Sequence, residues 1–229
     1  MAVGGLSRCA ATWHPSAVAL YNRVFAVAYD PVLAIGERTG MRAIRRRVLG
    51  ASVGRVLEIG AGTGLNLGLY PTGVESLTFA EPDPAMRSRF VRQAARLRLD
   101  HEPVAATAER LPFGDDSFDT VVSTLVLCTV PDVGPALQEI DRVLAPGGRL
   151  VLVEHVRADG PGLAGWQDRL HGAWRRFAAG CHCNRDTEAE LAAAGFGTGG
   201  LNAERWPSMP PIVSPLITGV AHRSTEGQL

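Results

Sequence analysis

The stretch "VLEIGAGTGLNL", Val56–Leu67, decides the fold because an apolar strand runs directly into a glycine-rich turn. Its glycines, Gly60, Gly62 and Gly64, have the spacing G-x-G-x-G. A dinucleotide-binding turn has the spacing G-x-G-x-x-G, and Leu65 occupies the position of its last glycine. A phosphate-binding P-loop would continue into Gly-Lys-Ser/Thr, which does not follow. The turn therefore indicates a ligand other than a dinucleotide or a P-loop phosphate.

Two carboxylates flank this turn at the ends of predicted strands. Glu58 lies inside the first strand, where it would repel a pyrophosphate but suits a ligand that bears an amino group and a sulfonium. Glu81 follows the second strand, where a carboxylate can accept hydrogen bonds from both hydroxyls of a ribose. Together they favour S-adenosyl-L-methionine (SAM), with S-adenosyl-L-homocysteine as the product.

Strands and helices alternate along the rest of the chain, which predicts an α/β fold with a doubly wound parallel sheet. A brief helix is expected after the glycine turn, up to Tyr70. The following segments are "SLTFAEPDP" (76–84, strand), "AMRSRFVRQAARLRL" (85–99, helix), "PVAATAERLPF" (103–113, short strand and loop), "FDTVVSTLVLCTV" (118–130, strand), "VGPALQEIDRVLA" (133–145, helix) and "RLVLVEHV" (149–156, strand). Ligands of such sheets bind outside the carboxyl ends of the strands.

Length, charge and cysteine usage limit the function classes. The 229 residues suit one α/β domain with a capping segment. The 23 basic and 23 acidic residues cancel, so no overall field indicates nucleic acid, and a small molecule is the expected partner. Four cysteines form no regular framework, which favours a reducing, cytoplasmic location. No apolar stretch is long and uninterrupted enough to predict an integral membrane segment.

The segment before the glycine turn is expected to be helical from Ser16 to Gly50, with a break near Asp30-Pro31. Its second half carries a cluster of arginines at 38, 42, 45, 46 and 47. Such a cluster is expected to be a solvated helix face. The alternative is a surface for anionic phospholipid headgroups or acidic metabolites.

Three stretches resemble the motifs of class I SAM-dependent methyltransferases: "RVLEIGAGTG" (55–64), "LPFGDDSFDTVVSTLVL" (111–127) and "EIDRVLAPGGRLVLVEH" (139–155). The resemblance implies a seven-stranded Rossmann-like sheet, with an N-terminal helical cap over 1–50 and the methyltransferase domain over 51–229. It places the glycines at the methionyl part of SAM, Glu81 at the ribose, Ala108 and Glu109 at the adenine, and Leu125 near the methyl group. The full set of implied cofactor-binding residues is Glu58, Gly60, Ala61, Gly62, Gly64, Asn66, Glu81, Pro82, Thr107, Ala108, Glu109, Thr124 and Leu125.

The methyl acceptor is expected to be recognised by the cap and by the chain after the last predicted strand. "TLVLCTV" (124–130), "VLAPGGRLVLVEHV" (143–156), "GCHCNRDTEAELAAAGF" (180–196) and "WPSMPPIVSPLITGVA" (206–221) resemble thiol S-methyltransferases of the methyltransferase-like-seven group. The resemblance implies S-methylation of a small apolar thiol. The same motifs are shared with quinone C-methyltransferases and phospholipid N-methyltransferases, so C- or N-methylation stays open, as does SAM binding without catalysis.

Candidate acceptor-side residues follow from the chemistry of a thiol, which must be deprotonated to attack. His155, directly after a predicted strand, is the candidate general base or thiolate partner; otherwise it only binds a loop. Trp166 and Trp174 share a helical face that is expected either to roof an apolar pocket or to pack against the sheet. Cys128 and Cys181 are further candidates for substrate contact. "CHC" at 181–183 lacks a second ligand pair, so no metal site is expected.

Overall fold

The computed structural model describes residues 34–223. Its strands are β1 (Arg55–Ile59), β2 (Ser76–Ala80), β3 (Phe118–Thr124), β4 (Leu144–His155), β5 (Phe196–Arg205) and β6 (Pro215–Arg223), and its α-helices are α1 (Arg42–Leu49), α2 (Pro84–Arg96), α3 (Val133–Val143), α4 (Pro161–Phe177) and α5 (Thr187–Ala193). A π-helical turn, Glu37–Met41, precedes α1, and a 3-10 turn, Pro211–Val213, precedes β6. Within the described range no helix is long and apolar enough to cross a membrane. The cytoplasmic location stays a prediction.

The six strands form one sheet in the order β2-β1-β3-β4-β6-β5. The first four strands in this order are parallel to one another, whereas β6 runs antiparallel to both β4 and β5. This arrangement confirms the predicted α/β class. It also brings the carboxyl ends of β1, β2, β3 and β4 to one edge of the sheet, where the predicted site residues lie.

Side chains alternate between two buried faces of this sheet. Leu150 and Leu152 of β4 pack on the face covered by α3, while Val151 and Val153 pack on the face covered by α1. The same alternation directs Glu154 to the α3 side. His155 lies on the α1 side, next to Trp206. The two consecutive polar residues at the end of β4 therefore lie on opposite faces of the sheet.

The family resemblance implies seven strands. This prediction is wrong for the described residues, which form a sheet of six strands. The segment predicted as the third strand contributes one bridge, Ala80 to Val104. The N–H of Val104 donates to the carbonyl of Phe79 (2.8 Å), and the N–H of Glu81 donates to the carbonyl of Val104 (2.9 Å). A tight turn that bridges Thr107 and Arg110 begins three residues later and leaves no room for further pairing.

The brief helix expected up to Tyr70 is also wrong. The chain between β1 and β2 is instead a series of turns. The reason is its glycine content, because left-handed backbone cannot continue a right-handed helix. The glycines concerned are Gly60 (φ +55°), Gly62 (φ +56°), Gly64 (φ +86°) and Gly68 (φ +73°).

The N-terminal segment is helical where the structure describes it, over residues 34–49. Met41, Ile44, Val48 and Leu49 are buried against the sheet. The part of the predicted cap over residues 1–33 lies outside the described residues, and the domain boundary at residue 50 stays a prediction. The described helix nevertheless lies beside the glycine turn, and its Arg45 side chain donates a hydrogen bond to Asn66 in the chain that follows the glycines.

Candidate functional site

A cleft opens at the carboxyl end of β1. Its walls come from α1, from β1 with the glycine turn, and from the end of β3. The lining residues are Arg45, Glu58, Gly60, Ala61, Gly62, Thr63, Leu65, Asn66 and Thr124. The structure thus brings six of the sequence-predicted cofactor residues into contact with one space, together with an arginine that was not expected there.

The glycine turn brings backbone, rather than side chains, to the floor of this cleft. A Cβ on Gly60 would come within 2.5 Å of Val126 Cγ2, so the turn can close against the chain after β3 only with glycine here. A Cβ on Gly62 would have only the Gly60 carbonyl oxygen nearby, at 3.9 Å, and would occupy open space. The missing side chains therefore leave room for a ligand to lie directly on the backbone.

Glu58 provides a buried negative group. Its side chain is 3% exposed, and it accepts hydrogen bonds from Asn66 Nδ2 (3.0 Å) and from the hydroxyl of Tyr70. Burial raises the pKa of Glu58 to about 7, although Tyr70 and the positive charge of Arg45 oppose this rise. A carboxylate with this pKa can change its charge near neutral pH.

Arg45 provides a buried positive group at the same cleft, and its expected place on a solvated face is wrong. It is 4% exposed, its Nη1 donates to Asn66 Oδ1 (3.0 Å), and its Nε donates to Glu37 Oε1 (3.1 Å). The other arginines of the cluster, at 38, 42, 46 and 47, are exposed. The signal was present in the sequence, because Arg45 lies one residue after Ile44 and three before Val48, on the apolar face of α1.

Asn66 joins these two charges. It accepts from Arg45 and donates to Glu58, and its Nδ2 also lies 3.1 Å from Thr124 Oγ1 at the end of β3. A cleft with a guanidinium at one side and a carboxylate at the other matches the carboxylate and ammonium of an α-amino acid. SAM carries such a group at its amino-acid end, and the residues present fit it.

Glu81 follows β2 and is tied to the glycine turn. Its Oε2 accepts from the N–H of Gly62 (2.8 Å) and its Oε1 from the N–H of Asp83 (2.8 Å). Burial raises the pKa of Glu81, while these backbone hydrogen bonds lower it. Asp83 in turn caps α2 by accepting from Ala85 and Met86, so the start of the helix fixes the loop. The neighbouring Pro82 is exposed.

The predicted adenine segment lies after the Val104 bridge. Thr107 is exposed, Glu109 is half-buried, and Ala108 is buried in the core on the α3 side. Two side chains that were not predicted as site residues hold the loop that follows. Glu139 Oε2 accepts from the N–H of Leu111 (2.9 Å), and Arg142 pairs with Glu139 (2.8 Å), which lowers the pKa of Glu139 to about 2.

The strand predicted over 118–130 ends earlier, at Thr124, because Leu125 adopts φ +60°. The N–H of Leu125 still donates to the carbonyl of Val153 (2.8 Å), so this residue stays against β4. The chain then forms the segment named here the β3 turn, residues 125–131. The β3 turn lies between the cleft, which Thr124 lines, and the remaining predicted acceptor-side residues.

His155 is 5% exposed and stacks on Trp206, with ring centroids 5.7 Å apart and planes at 18°. Burial lowers its pKa to about 4, although hydrogen bonds to the backbone at Val213 and Pro215 partly offset the effect. Its Nδ1 finds no hydrogen-bond partner within residues 34–223. The imidazole is therefore neutral near pH 7 and can accept a hydrogen bond, but it is a weak base.

The predicted substrate-contact residues divide into two groups. Cys128, Cys181 and Cys183 are buried in one cluster, in which the Sγ atoms of Cys181 and Cys128 lie 3.9 Å apart. Trp174 packs against this cluster. Trp166 is 55% exposed, and the guanidinium of Arg169 lies 5.6 Å from its ring centroid. The structure therefore brings Trp174, but not Trp166, to the cysteines.

Fold and site together define the class of protein. A glycine turn after β1, an acid after β2 and a cleft suited to an α-amino acid, all at the carboxyl edge of a parallel sheet, are the features of a SAM-dependent methyltransferase. The family profile described as "Methyltransferase domain" matches residues 57–152. A solved SAM-dependent methyltransferase from Thermotoga maritima shares the fold, with a TM-score of 0.64 at 19% identity over 88% of this chain and 96% of its own.

Two named proteins are similar to this chain over most of its length. Thiol S-methyltransferase TMT1B of Rattus norvegicus is 36% identical over 170 residues, which are 72% of this chain and 69% of the relative. Thiol S-methyltransferase TMT1A of Homo sapiens is 32% identical over 201 residues, 86% of this chain and 82% of the relative. The chain belongs to the class I SAM-dependent methyltransferases. It is an enzyme of methyl transfer, and SAM is its cofactor.

Proposed function

We propose that this methyltransferase transfers the methyl group of SAM to the sulfur of a small apolar thiol. The observation that carries the proposal is the similarity to two thiol S-methyltransferases over 69% and 82% of their lengths. The surroundings of the β3 turn also support it. The neutral His155 ring, the cysteine cluster and Trp174 offer mainly apolar and sulfur-bearing groups, which suit an apolar thiol better than a charged acceptor.

We assign the amino-acid end of SAM to the cleft between Arg45 and Glu58, with the guanidinium taking the carboxylate and Glu58 the ammonium. Glu81 accepts from the ribose hydroxyls while it holds Gly62. The N-terminal segment acts as a cap in this proposal, because α1 carries Arg45 into the cleft. Bound SAM supplies an electrophilic methyl group for in-line displacement, and the protein mainly supplies orientation and exclusion of water.

The pKa of Glu58 predicts that SAM affinity depends on pH. Glu58 is largely protonated in the free protein below its pKa of about 7, whereas the positive charges of SAM favour the carboxylate. We therefore expect Kd to fall as the pH rises from about 6 to about 8, by up to roughly tenfold in total, and to level off above. Calorimetric titrations across this range measure the effect. Glu58→Gln should bind weakly at every pH, and a flat wild-type profile would contradict the assignment.

His155 is predicted to orient the bound thiol by accepting a hydrogen bond from its S–H group. The thiol proton leaves to solvent before the thiolate attacks, because a ring whose pKa is about 4 does not keep it near neutral pH. The rate should accordingly rise with pH as the thiolate fraction of the substrate increases, up to a thiol pKa of about 8.5. His155→Ala should lower kcat/KM about tenfold, the effect of one lost hydrogen bond, and should change the Kd of SAM less than twofold. Equal rates in both proteins at every pH would exclude this role.

The proposed acceptor is tested by incubating the purified protein with SAM and three acceptors: an alkyl thiol, a quinol and vesicles that contain phosphatidylethanolamine. Mass spectrometry identifies the methylated product, and S-adenosyl-L-homocysteine formation measures turnover. We expect a methyl thioether from the thiol. Turnover of only the quinol or the phospholipid would replace the proposal with C- or N-methylation. SAM binding without any product would indicate a non-catalytic SAM-binding protein.

A further inference from the structure

The β3 turn, residues 125–131, contains a single helical turn that directly follows strand β3. The N–H groups of Thr129 and Val130 both donate to the carbonyl of Val126, at 2.7 and 3.2 Å. Leu125, in its left-handed conformation, is the junction between β3 and this turn. A single turn leaves its first N–H groups and its last carbonyls unpaired, and an isolated turn of this length is not stable by itself.

Glu154 caps the amino end of the turn. Its side chain is fully buried, and Oε1 accepts from the N–H groups of Val126 (3.0 Å) and Leu127 (3.1 Å). Oε2 accepts from the N–H of Cys128 (3.1 Å), and the hydroxyl of Ser123 donates to Oε1 (2.7 Å). Burial of a carboxylate is costly unless its lone pairs are satisfied, and these four donors satisfy them. The negative charge also complements the positive end of the turn.

Arg185 caps the carboxyl end of the same turn. Its Nη1 donates to the carbonyl of Leu127, and its Nη2 donates to the carbonyls of Val130 (2.9 Å) and Pro131 (3.4 Å). A guanidinium is suited to this task because its planar fork presents several donors at fixed spacing. The positive charge lies at the end of the turn where carbonyl oxygens accumulate.

The turn connects the two halves of the site. Thr124, just before it, lines the SAM cleft. Leu125 packs both against the group around Trp206 and against the cysteine cluster, to which Cys128 of the turn itself belongs. A shift of the turn would therefore displace acceptor-side residues, whereas Arg45, Glu58 and Glu81 lie on other elements.

We propose that Glu154 and Arg185 are positioning residues for methyl transfer, which fix the β3 turn from its two ends and thereby align the acceptor with the methyl group. This inference rests on the proposed function, because it assumes that the acceptor lies on the β3-turn side of the cleft. In-line transfer is sensitive to alignment, and a displacement of about 1 Å can lower a rate about a hundredfold. The expected signature is a loss in kcat without a loss in SAM affinity.

The experiment compares Glu154→Gln and Arg185→Lys with a control, Asp119→Asn. Gln keeps the shape of Glu but loses the charge and some acceptor capacity, and Lys keeps the charge of Arg but loses the fork. Asp119 is a matched control because its carboxylate also accepts a backbone N–H, from Arg55 (2.8 Å), but at the amino ends of the strands. Calorimetry gives the Kd of SAM, steady-state kinetics give kcat and KM for a thiol, and hydrogen exchange with mass spectrometry follows residues 125–131.

We expect both site variants to exchange faster over 125–131 and to lose about 10- to 100-fold in kcat, with the Kd of SAM changed less than about twofold. The control should keep its kcat. Because both side chains hold one turn, the double variant should lose less than the product of the single losses. Arg185→Lys, the milder change, serves alone if Glu154→Gln does not fold.

Two outcomes would overturn the proposal. Faster exchange with an unchanged kcat would make the pair merely structural, and an equal loss in SAM affinity and in kcat would place its effect on the cofactor. Failure of the proposed function is distinguishable. If the wild type methylates a quinol or a phospholipid instead of a thiol, the same loss in kcat with that acceptor still supports positioning.

Discussion

Replacing Arg45 by Met is expected to weaken SAM binding by about 2–5 kcal/mol, the cost of removing one partner of a buried charge pair. Arg45 is 4% exposed and is held by Glu37 and Asn66, so its guanidinium is already oriented toward the cleft. The variant would leave the carboxylate of SAM unpaired. It would also raise the pKa of Glu58 further, because Arg45 lowers it in the wild type. SAM affinity should therefore recover only at a higher pH than in the wild type.

The control for this change is Arg46→Met, which removes an exposed positive charge from the next position of α1. Calorimetric titrations of both variants between about pH 6 and 9 give the two quantities, Kd and its pH midpoint. An equal loss in the Arg46 variant would mean that overall surface charge, not the buried contact, attracts SAM. A lower unfolding temperature with unchanged Kd would assign Arg45 to the fold alone.

Replacing Glu81 by Ala is expected to weaken SAM binding by about 1–3 kcal/mol, or roughly 5- to 150-fold in Kd. Each carboxylate oxygen accepts one backbone N–H, from Gly62 or Asp83, and the remaining lone pairs are assigned to the ribose hydroxyls. The variant loses these hydrogen bonds and also frees the N–H of Gly62 in the glycine turn. Calorimetry with SAM measures the loss.

The matched control is Glu75→Ala, which removes an exposed carboxylate just before the opposite end of β2. This variant should bind SAM as the wild type does. Circular dichroism and thermal unfolding of both proteins separate a local loss of ligand contacts from a loss of fold. Wild-type affinity in Glu81→Ala would show that the ribose does not lie on Glu81.

The α/β fold was predictable because each strand and helix carries its own apolar pattern. Apolar runs indicate buried strands over Val56–Ile59 and over 118–124. The helix over 84–96 begins at Asp83-Pro84, which is a local capping signal. The errors arose where turn geometry interrupts the expected helix or strand. The short helix after Gly60 is prevented by left-handed glycines, and the third strand is reduced to one bridge by the turn at Thr107–Arg110.

Part of the SAM cleft was predictable from the positions of two carboxylates along the sequence. Glu58 and Glu81 stand at the ends of strands, and the parallel sheet brings those ends together. Arg45 was missed because it was grouped with its exposed neighbours rather than with the apolar face it shares. The contacts of Glu154 and Arg185 with the β3 turn could not be found from local pattern, since these residues lie 28 and 58 positions away from the backbone groups that they bind.

The most direct measurement is a crystal structure of the protein with S-adenosyl-L-homocysteine. We predict that the amino-acid end of this product lies between Arg45 and Glu58, that its ribose hydroxyls donate to Glu81, and that its sulfur faces Leu125 of the β3 turn. Space for the acceptor should then lie between the sulfur, His155 and the cysteine cluster. A product whose ribose does not contact Glu81, or whose sulfur faces away from the β3 turn, would contradict the account.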